Sequence, residues 1–152
     1  MKTIAICSGY FSPAHLGHIE YLKKSKAIAD MLIVIVNTDK QSYLKKGFSF
    51  QSEDERMQII GSMECVDEVV LSIDEDKSVS KTIEFVYNKY KSQDTEIIFT
   101  KGGDQTKEII PEKEICEKLG IRIVDNIVGQ LNSSSRILKT YDSNKEKLKG
   151  DK

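Results

Sequence analysis

The sequence has little that would place the chain in a membrane or in an oxidising compartment. No apolar run approaches the roughly 18 residues that predict a membrane span, and the apolar stretch in MKTIAICSGY is too short for a signal peptide. The three cysteines, Cys7, Cys65 and Cys116, are far apart and form no Cys-x-x-Cys pair. We therefore expect no membrane partner, a reduced cytoplasmic setting, and cysteines that act as small buried hydrophobes.

An excess of charge of one sign is also missing. The 23 basic and 24 acidic residues leave a net charge of −1. A nucleic-acid-binding domain normally carries a basic excess, so we expect no nucleic-acid partner. The sequence shows no internal repeat, and its 152 residues are enough for one domain with a real hydrophobic core.

Apolar runs alternate along the chain with segments of helical periodicity. Strands are predicted at 3–8, 31–36, 66–71, 96–100 and 121–124, and helices at 16–29, 53–63, 79–90 and 111–120. This alternation predicts an α/β fold with a Rossmann-like doubly wound parallel sheet. We expect a single domain at residues 1–141, followed by a polar, lysine-rich tail at residues 142–152.

Ligands of such sheets bind beyond the carboxyl ends of the strands, so the loops there are the places to look for chemistry. The predicted ligand loops are Gly9–Gly17, Asn37–Ser52, Lys101–Ile110 and Asn126–Ser135. In the first of them, Gly9 is expected to allow a sharp turn, and Gly17 to let a ligand approach the backbone.

The same loop ends in the chain's two histidines, His15 and His18. If a helix begins near His15, both imidazoles point from its first turn toward the strand ends. Because a helix N-terminus attracts anions, this arrangement suits a phosphate. A zinc site is less favoured because no third histidine or cysteine ligand lies nearby. The Gly-x-Gly-x-x-Gly fingerprint of dinucleotide-binding proteins is absent.

The segment GYFSPAHLGH resembles the Gly-x-Phe-Asp-x-x-His-x-Gly-His signature of the cytidylyltransferase-like nucleotidyltransferases, with Ser12 at the usual acidic position. This superfamily has a Rossmann-like fold. It includes glycerol-3-phosphate and choline-phosphate cytidylyltransferases and the adenylyltransferase that activates heptose 1-phosphate. The resemblance implies that His15 and His18 are catalytic. The nucleotide-binding residues that it implies in this segment are Gly9, Tyr10, Phe11 and Gly17.

Further segments resemble the same superfamily. Lys45 and Lys46, in LKKG, would be catalytic residues placed against the nucleotide's phosphates, although a lysine pair in a loop is often only solvated surface. Arg56, in SEDERMQII, would bind the nucleotide or, alternatively, form a surface salt bridge. KGGD resembles the heptose-phosphate adenylyltransferases, with Gly103 and Asp104 on the nucleoside side.

The segment NSSSRI resembles the motif that opens the family's final helix. Hydroxyls and free N–H groups at a helix start make a phosphate cradle, although a plain serine N-cap is the simpler interpretation. The arginine that precedes this motif in several relatives is missing, and Arg136 would substitute for it. The nucleotide-binding residues implied here are Ser133, Ser134, Ser135 and Arg136.

The implied reaction joins a nucleoside triphosphate to a phosphorylated small molecule and releases pyrophosphate. The acceptor is a polyol, amino-alcohol or sugar phosphate, and its phosphate attacks the α-phosphorus in line, so no protein nucleophile is needed. Mg²⁺ would bridge the phosphate oxygens, without a dedicated protein metal site. CTP is favoured, ATP is the second candidate, and a homodimer is expected because relatives are often dimers. Two alternatives are a nucleotide-binding regulatory module without turnover and a flavodoxin-like interaction domain that binds no triphosphate.

Overall fold

A parallel β-sheet forms the centre of the computed structural model, which describes residues 1–102 and 110–128. Its five strands are β1 (Lys2–Gly9), β2 (Met31–Val36), β3 (Glu68–Leu71), β4 (Thr95–Thr100) and β5 (Arg122–Val124). They lie in the order β3-β2-β1-β4-β5, and every neighbouring pair is parallel. The predicted Rossmann-like α/β fold is confirmed.

The sheet has a hydrophobic core on each face because side chains alternate along its strands. In β1, Ile4 and Ile6 belong to one core cluster, whereas Ala5 and Cys7 belong to the other. Leu32–Val36 of β2 is completely buried, which explains why that strand is an unbroken apolar run. Burying each of these valine, leucine and isoleucine side chains stabilises the fold by roughly 1.5–3 kcal/mol.

The helices connect the strands and cover both faces of the sheet. They are α1 (Leu16–Ala27), α2 (Asp39–Lys46), α3 (Glu53–Gly61), α4 (Ser80–Tyr90) and α5 (Lys113–Leu119). Four of the five were predicted to within about two residues at each end. Pro111 lies in the turn before α5 instead of opening the helix, because α5 has Glu112 as its N-cap.

The prediction that residues 37–52 form a loop was wrong, because that segment contains α2. The helix lacks an apolar stripe, and its two buried residues are polar, Gln41 and Ser42. It is held instead by a capping box, in which Thr38 and Gln41 each accept the other's backbone N–H. Gly47 ends the helix in the left-handed conformation at φ 80°.

Parts of the prediction fall outside the described residues. Gly103, Asp104, the segment 132–137 and the tail 142–152 are among them, so the domain boundary at residue 141 stays a prediction. Cys7 and Cys116 are buried, as expected, and Cys65 is half-buried. Burial raises the pKa of the Cys7 thiol and raises the pKa of Cys116 to about 12. None of the helices in the described ranges is long and apolar enough to cross a membrane.

Candidate active site

A cleft of about 760 Å³ opens at the carboxyl ends of β1, β2 and β4. It contains most of the predicted site residues that the structure describes, drawn together from the β1–α1 loop, the start of α1 and the end of α2. These lining residues are Gly9, Tyr10, Phe11, His15, Gly17, His18, Lys45 and Lys46. Their roles remain predictions, but their common location at the ligand edge of the sheet is observed.

His15 and His18 form the N-terminal cap of α1. The Nδ1 atom of His15 accepts the Gly17 N–H at 3.1 Å, and the Nδ1 atom of His18 accepts the His15 N–H at 3.1 Å. This is a capping box made of two imidazoles, whose ring centroids lie 3.9 Å apart. A neutral imidazole with an accepting Nδ1 carries its proton on Nε2. Both histidines line the cleft, so their Nε2–H groups are donors for a bound anion.

His18 is neutral at physiological pH. Burial is the main cause that lowers the pKa of His18 to about 4, and electrostatic interactions with His15 and Lys46 lower it further. The ring is held edge-on against Phe11, with centroids 5.0 Å apart. A neutral N–H donor that is held in place stabilises negative charge by hydrogen bonding, without giving up its proton as an acid.

Each glycine of the first loop lies against a side-chain ring of the same chain. Gly9 is not in the left-handed region; a Cβ there would lie 2.7 Å from the Phe11 ring, which packs over it. Phe11 itself has a positive φ of 51°, so this residue makes the turn. At Gly17, the space beside the backbone is taken by the His15 ring, which would lie 2.9 Å from an added Cβ. Both glycines therefore make room for neighbouring rings of the chain.

Lysines give the cleft a strong positive charge. Lys45 and Lys46 lie in the last turn of α2, and the Lys45 Nζ is 4.5 Å from the centre of the Tyr10 ring. Burial lowers the pKa of Lys45, and the charges of Lys46, Lys101 and Lys77 lower it further. A cluster of four ammonium groups favours a polyanion such as a triphosphate.

Lys77 and Lys101 line the cleft but were not predicted as site residues. Lys101 directly follows β4 and opens the KGGD segment, in which only Gly103 and Asp104 were predicted to bind the nucleotide. Lys77 lies after β3, and the loop there was not among the predicted ligand loops. The rule that ligands bind beyond the strand ends points to both residues when every strand is considered.

The structure does not bring Arg56 to the cleft lining. Its side chain is completely buried, and its guanidinium donates to the backbone oxygens of Gln51, Tyr10 and Asn37 and to the Asp39 carboxylate. Arg56 pairs with Asp39 at 3.0 Å, but its own side chain is buried, so this is not a surface salt bridge. Its binding of a nucleotide stays a prediction. Arg56 joins α3, α2 and the β1–α1 loop and so positions residues that do line the cleft.

The described residues of the cleft fit Mg²⁺ as an ion carried by phosphate oxygens. Mg²⁺ prefers oxygen ligands, commonly carboxylates together with substrate phosphates. Among the described residues that line the cleft, Glu112 is the single carboxylate against four lysines. No group of three histidine, cysteine or acidic side chains in the described ranges could hold a metal.

The chain is similar over most of its length to curated proteins of known name. Bifunctional protein HldE of Syntrophotalea carbinolica is 32% identical over 147 residues, which cover 93% of this chain and 28% of that protein. FAD synthase of Thermoplasma volcanium is 32% identical over 138 residues, covering 88% of this chain and 90% of the relative. The chain thus spans less than a third of the HldE protein and nearly all of the FAD synthase.

A solved structure shows the same fold. The crystal structure of the lipopolysaccharide core biosynthesis protein from Thermoplasma volcanium GSS1 superposes with a TM-score of 0.63 and 26% identity, covering 82% of this chain and 96% of that one. The profile of the cytidylyltransferase-like family matches residues 6–140. With the histidine pair at the start of α1, this match shows that the chain belongs to the cytidylyltransferase-like family of nucleotidyltransferases.

Proposed function

We propose that the protein transfers a nucleoside monophosphate from a nucleoside triphosphate to a phosphorylated small molecule and releases pyrophosphate. The observation that carries this proposal is the cleft itself, where two histidine Nε2–H donors and four lysines meet at the strand ends. Such a set of donors and cations suits a triphosphate, and the proposed reaction needs no protein nucleophile. The acceptor's phosphate is already an anion and supplies the attacking oxygen.

The described residues support this transfer by positioning and electrostatics. His15 and His18 donate hydrogen bonds to oxygens around the α-phosphorus, where negative charge grows as the acceptor attacks. Lys45, Lys46 and Lys101 neutralise the triphosphate and the departing pyrophosphate. Mg²⁺, bound to the phosphate oxygens, would supply further charge neutralisation. Holding both substrates in one cleft also lowers the entropic part of the barrier.

Two nucleotides are candidates. The sequence resemblance favours CTP, with ATP as the second candidate. The relative named FAD synthase favours ATP, since FAD contains an adenosine monophosphate unit. We propose both as donors to be compared directly, together with phosphorylated polyols, amino alcohols and sugars as acceptors.

Thermal unfolding in Mg²⁺ with CTP, ATP, GTP or UTP tests the nucleotide. A ligand at 100 times its Kd adds about 2.7 kcal/mol of stability, which raises the Tm by roughly 5–10 °C. We expect CTP or ATP to give a selective rise. Pyrophosphate release with each acceptor then separates an enzyme from a regulatory module, because the module shows the Tm rise without turnover. A protein whose Tm responds to none of the four triphosphates would contradict the proposal.

We also propose that the protein is a homodimer, on the resemblance alone. Size-exclusion chromatography with light scattering measures the mass directly, and a mass near 17.2 kDa would show a monomer.

A further inference from the structure

Two buried polar atoms of residues that line the cleft have no hydrogen-bond partner among the described residues: the Oε1 atom of Glu112 and the hydroxyl of Tyr10. Glu112 is only 4% exposed, and its other carboxylate oxygen accepts the Val79 N–H at 2.9 Å. Although Glu112 is the N-cap of α5, its carboxylate caps no N–H of that helix. The carboxylate therefore joins α5 to the start of α4 and keeps one oxygen unused.

An unused buried carboxylate oxygen destabilises a fold unless something pairs with it. Both Glu112 and Tyr10 line the cleft, so a bound molecule is a candidate partner. The two side chains are also within electrostatic reach of each other: burial raises the pKa of Tyr10, and the negative charge of Glu112 raises it further.

Glu112 lies on the side of the sheet opposite the helix that carries the histidines. Val79, to which Glu112 is bonded, belongs to the hydrophobic core under α4 and α5. Tyr21 and Leu22 of α1 belong to the core on the other face. An in-line transfer places the attacking and the leaving oxygens on opposite sides of the phosphorus. With the triphosphate at the N-terminus of α1, the acceptor approaches from the end that contains Glu112.

The chemistry of the pair favours a hydroxyl group as its partner. The Glu112 oxygen can accept a hydrogen bond and the Tyr10 hydroxyl can donate one, and a hydroxyl group offers both a donor and an acceptor. An ammonium group would also donate to Glu112, but the cleft already holds four lysines that repel it. Lys77, two residues before Val79, places a cation for the acceptor's phosphate on the same loop.

We propose that Glu112 and Tyr10 form an acceptor subsite that binds a hydroxyl group of a polyol phosphate or sugar phosphate, with Lys77 holding the phosphate. The inference rests on the proposed function in that it names the class of its acceptor. The proposal gives Tyr10 a contact with the acceptor in addition to the nucleotide contact that the family resemblance implies. It also predicts discrimination against amino-alcohol phosphates.

Calorimetric titration with matched phosphates tests the subsite without requiring turnover. One pair is glycerol 3-phosphate and propyl phosphate; the other is mannose 1-phosphate and cyclohexyl phosphate; ethanolamine phosphate is the amine probe. We expect the hydroxylated member of at least one pair to bind about tenfold or more tightly than its hydroxyl-free partner, and more tightly than ethanolamine phosphate.

The variant Glu112→Gln should reduce that preference to within about threefold. Its amide oxygen still accepts the Val79 N–H, so the fold is kept while the free carboxylate oxygen is lost. Tyr10→Phe removes a hydroxyl that has no partner in the described structure, and it should weaken the preference without loss of stability. Glu114→Gln, a change on the surface of the same helix, is the matched control and should leave binding unchanged. Urea unfolding of each variant checks the fold.

Equal binding within both pairs, or no binding of any of these phosphates, would overturn the subsite and leave Oε1 with a water molecule alone. A full preference for the hydroxylated phosphate in Glu112→Gln would also overturn the subsite. These outcomes are separate from failure of the proposed function. Triphosphate binding and turnover without hydroxyl preference would keep the function and remove the subsite. Hydroxyl preference without triphosphate binding would keep the subsite and remove the proposed function.

Discussion

His18 uses its two ring nitrogens for different purposes. Nδ1 accepts the backbone N–H of His15 and so completes the cap of α1, which leaves Nε2–H toward the cleft. The ring can therefore be replaced in a way that keeps the cap, because glutamine is a natural capping-box residue at this helix position. Loss of the fold and loss of the N–H donor can be measured separately at this one residue.

We expect His18→Ala to lower kcat by on the order of 10²–10³, which is typical for removing one donor that stabilises developing charge. His18→Gln should also lower kcat, while its urea unfolding free energy stays within about 0.5 kcal/mol of the wild type because the cap is kept. Pyrophosphate release measures the first effect. An unchanged kcat in His18→Ala would remove the catalytic role of this residue.

The low pKa of His18 predicts a pH-dependent stability. The folded ring takes up its proton near pH 4, whereas an unfolded histidine does so near pH 6.5. Between these values the unfolded state binds more protons, so stability falls as the pH falls through this window. From pH 7 to pH 5 we expect a loss of about 1 kcal/mol, reduced from the full value because the ring is half-buried. Urea unfolding of His18→Gln should show a smaller loss over the same range; equal losses would contradict the assignment.

Gly17→Ala should separate stability from activity. The added methyl lies 2.9 Å from the Cε1 atom of His15, so the imidazole must move. Alanine improves helix propensity by up to about 1 kcal/mol, and the disturbed cap costs about as much. We therefore expect the unfolding free energy to change by less than about 1 kcal/mol, while kcat falls at least tenfold because the donor is misplaced. A variant with full activity would show that the position of His15 is not critical.

At the scale of the elements, Arg56 holds α2 in place. Burial alone would raise the pKa of Asp39, but hydrogen bonds from Ser49 and Arg56 outweigh it and lower that pKa. We expect Arg56→Met to destabilise the protein by about 3–5 kcal/mol, because it leaves Asp39 and buried carbonyls without their donor. Arg56→Lys keeps the charge but not the planar fork, so its stability should fall between those of the wild type and Arg56→Met.

Urea unfolding measures this effect, and triphosphate titration of Arg56→Lys measures its consequence for the cleft. Since Lys45 and Lys46 lie on α2, loosening that helix should weaken triphosphate binding even though Arg56 does not line the cleft. Unchanged stability in Arg56→Met would mean that the hydrogen bonds of its guanidinium are not needed to hold the three elements together.

At the scale of the whole molecule, charge is distributed unevenly. The chain has a net charge of −1, yet four lysines line one cleft. Salt screens exposed charges, so we expect the Kd for the triphosphate to rise on the order of tenfold between about 50 and 500 mM KCl. Lys101→Ala should lower this salt dependence. A Kd that is independent of salt would mean that the lysines do not contact the phosphates.

The larger architecture was predictable from local patterns. The unbroken apolar run of β2 and the alternation of strands and helices predicted the sheet, because burial on both faces requires those patterns. GYFSPAHLGH predicted the place of His15 and His18, since a strand end, a turn and a helix start are adjacent in the chain. Helix α2 was missed because capping, and not an apolar stripe, stabilises it.

By itself, the sequence determined the strands, four of the five helices in the described residues, the family and the position of the histidine pair, because each depends on residues close together in the chain. Only the tertiary structure decided which distant groups meet. The Arg56 guanidinium donates a hydrogen bond to the backbone oxygen of Tyr10, 46 positions away, and the Glu112 carboxylate accepts one from the Val79 N–H, 33 positions away. Those pairings depend on how α3, α4 and α5 pack on the sheet. Periodicity encodes which face of an element is buried, but it does not encode the partner that a single polar side chain finds there.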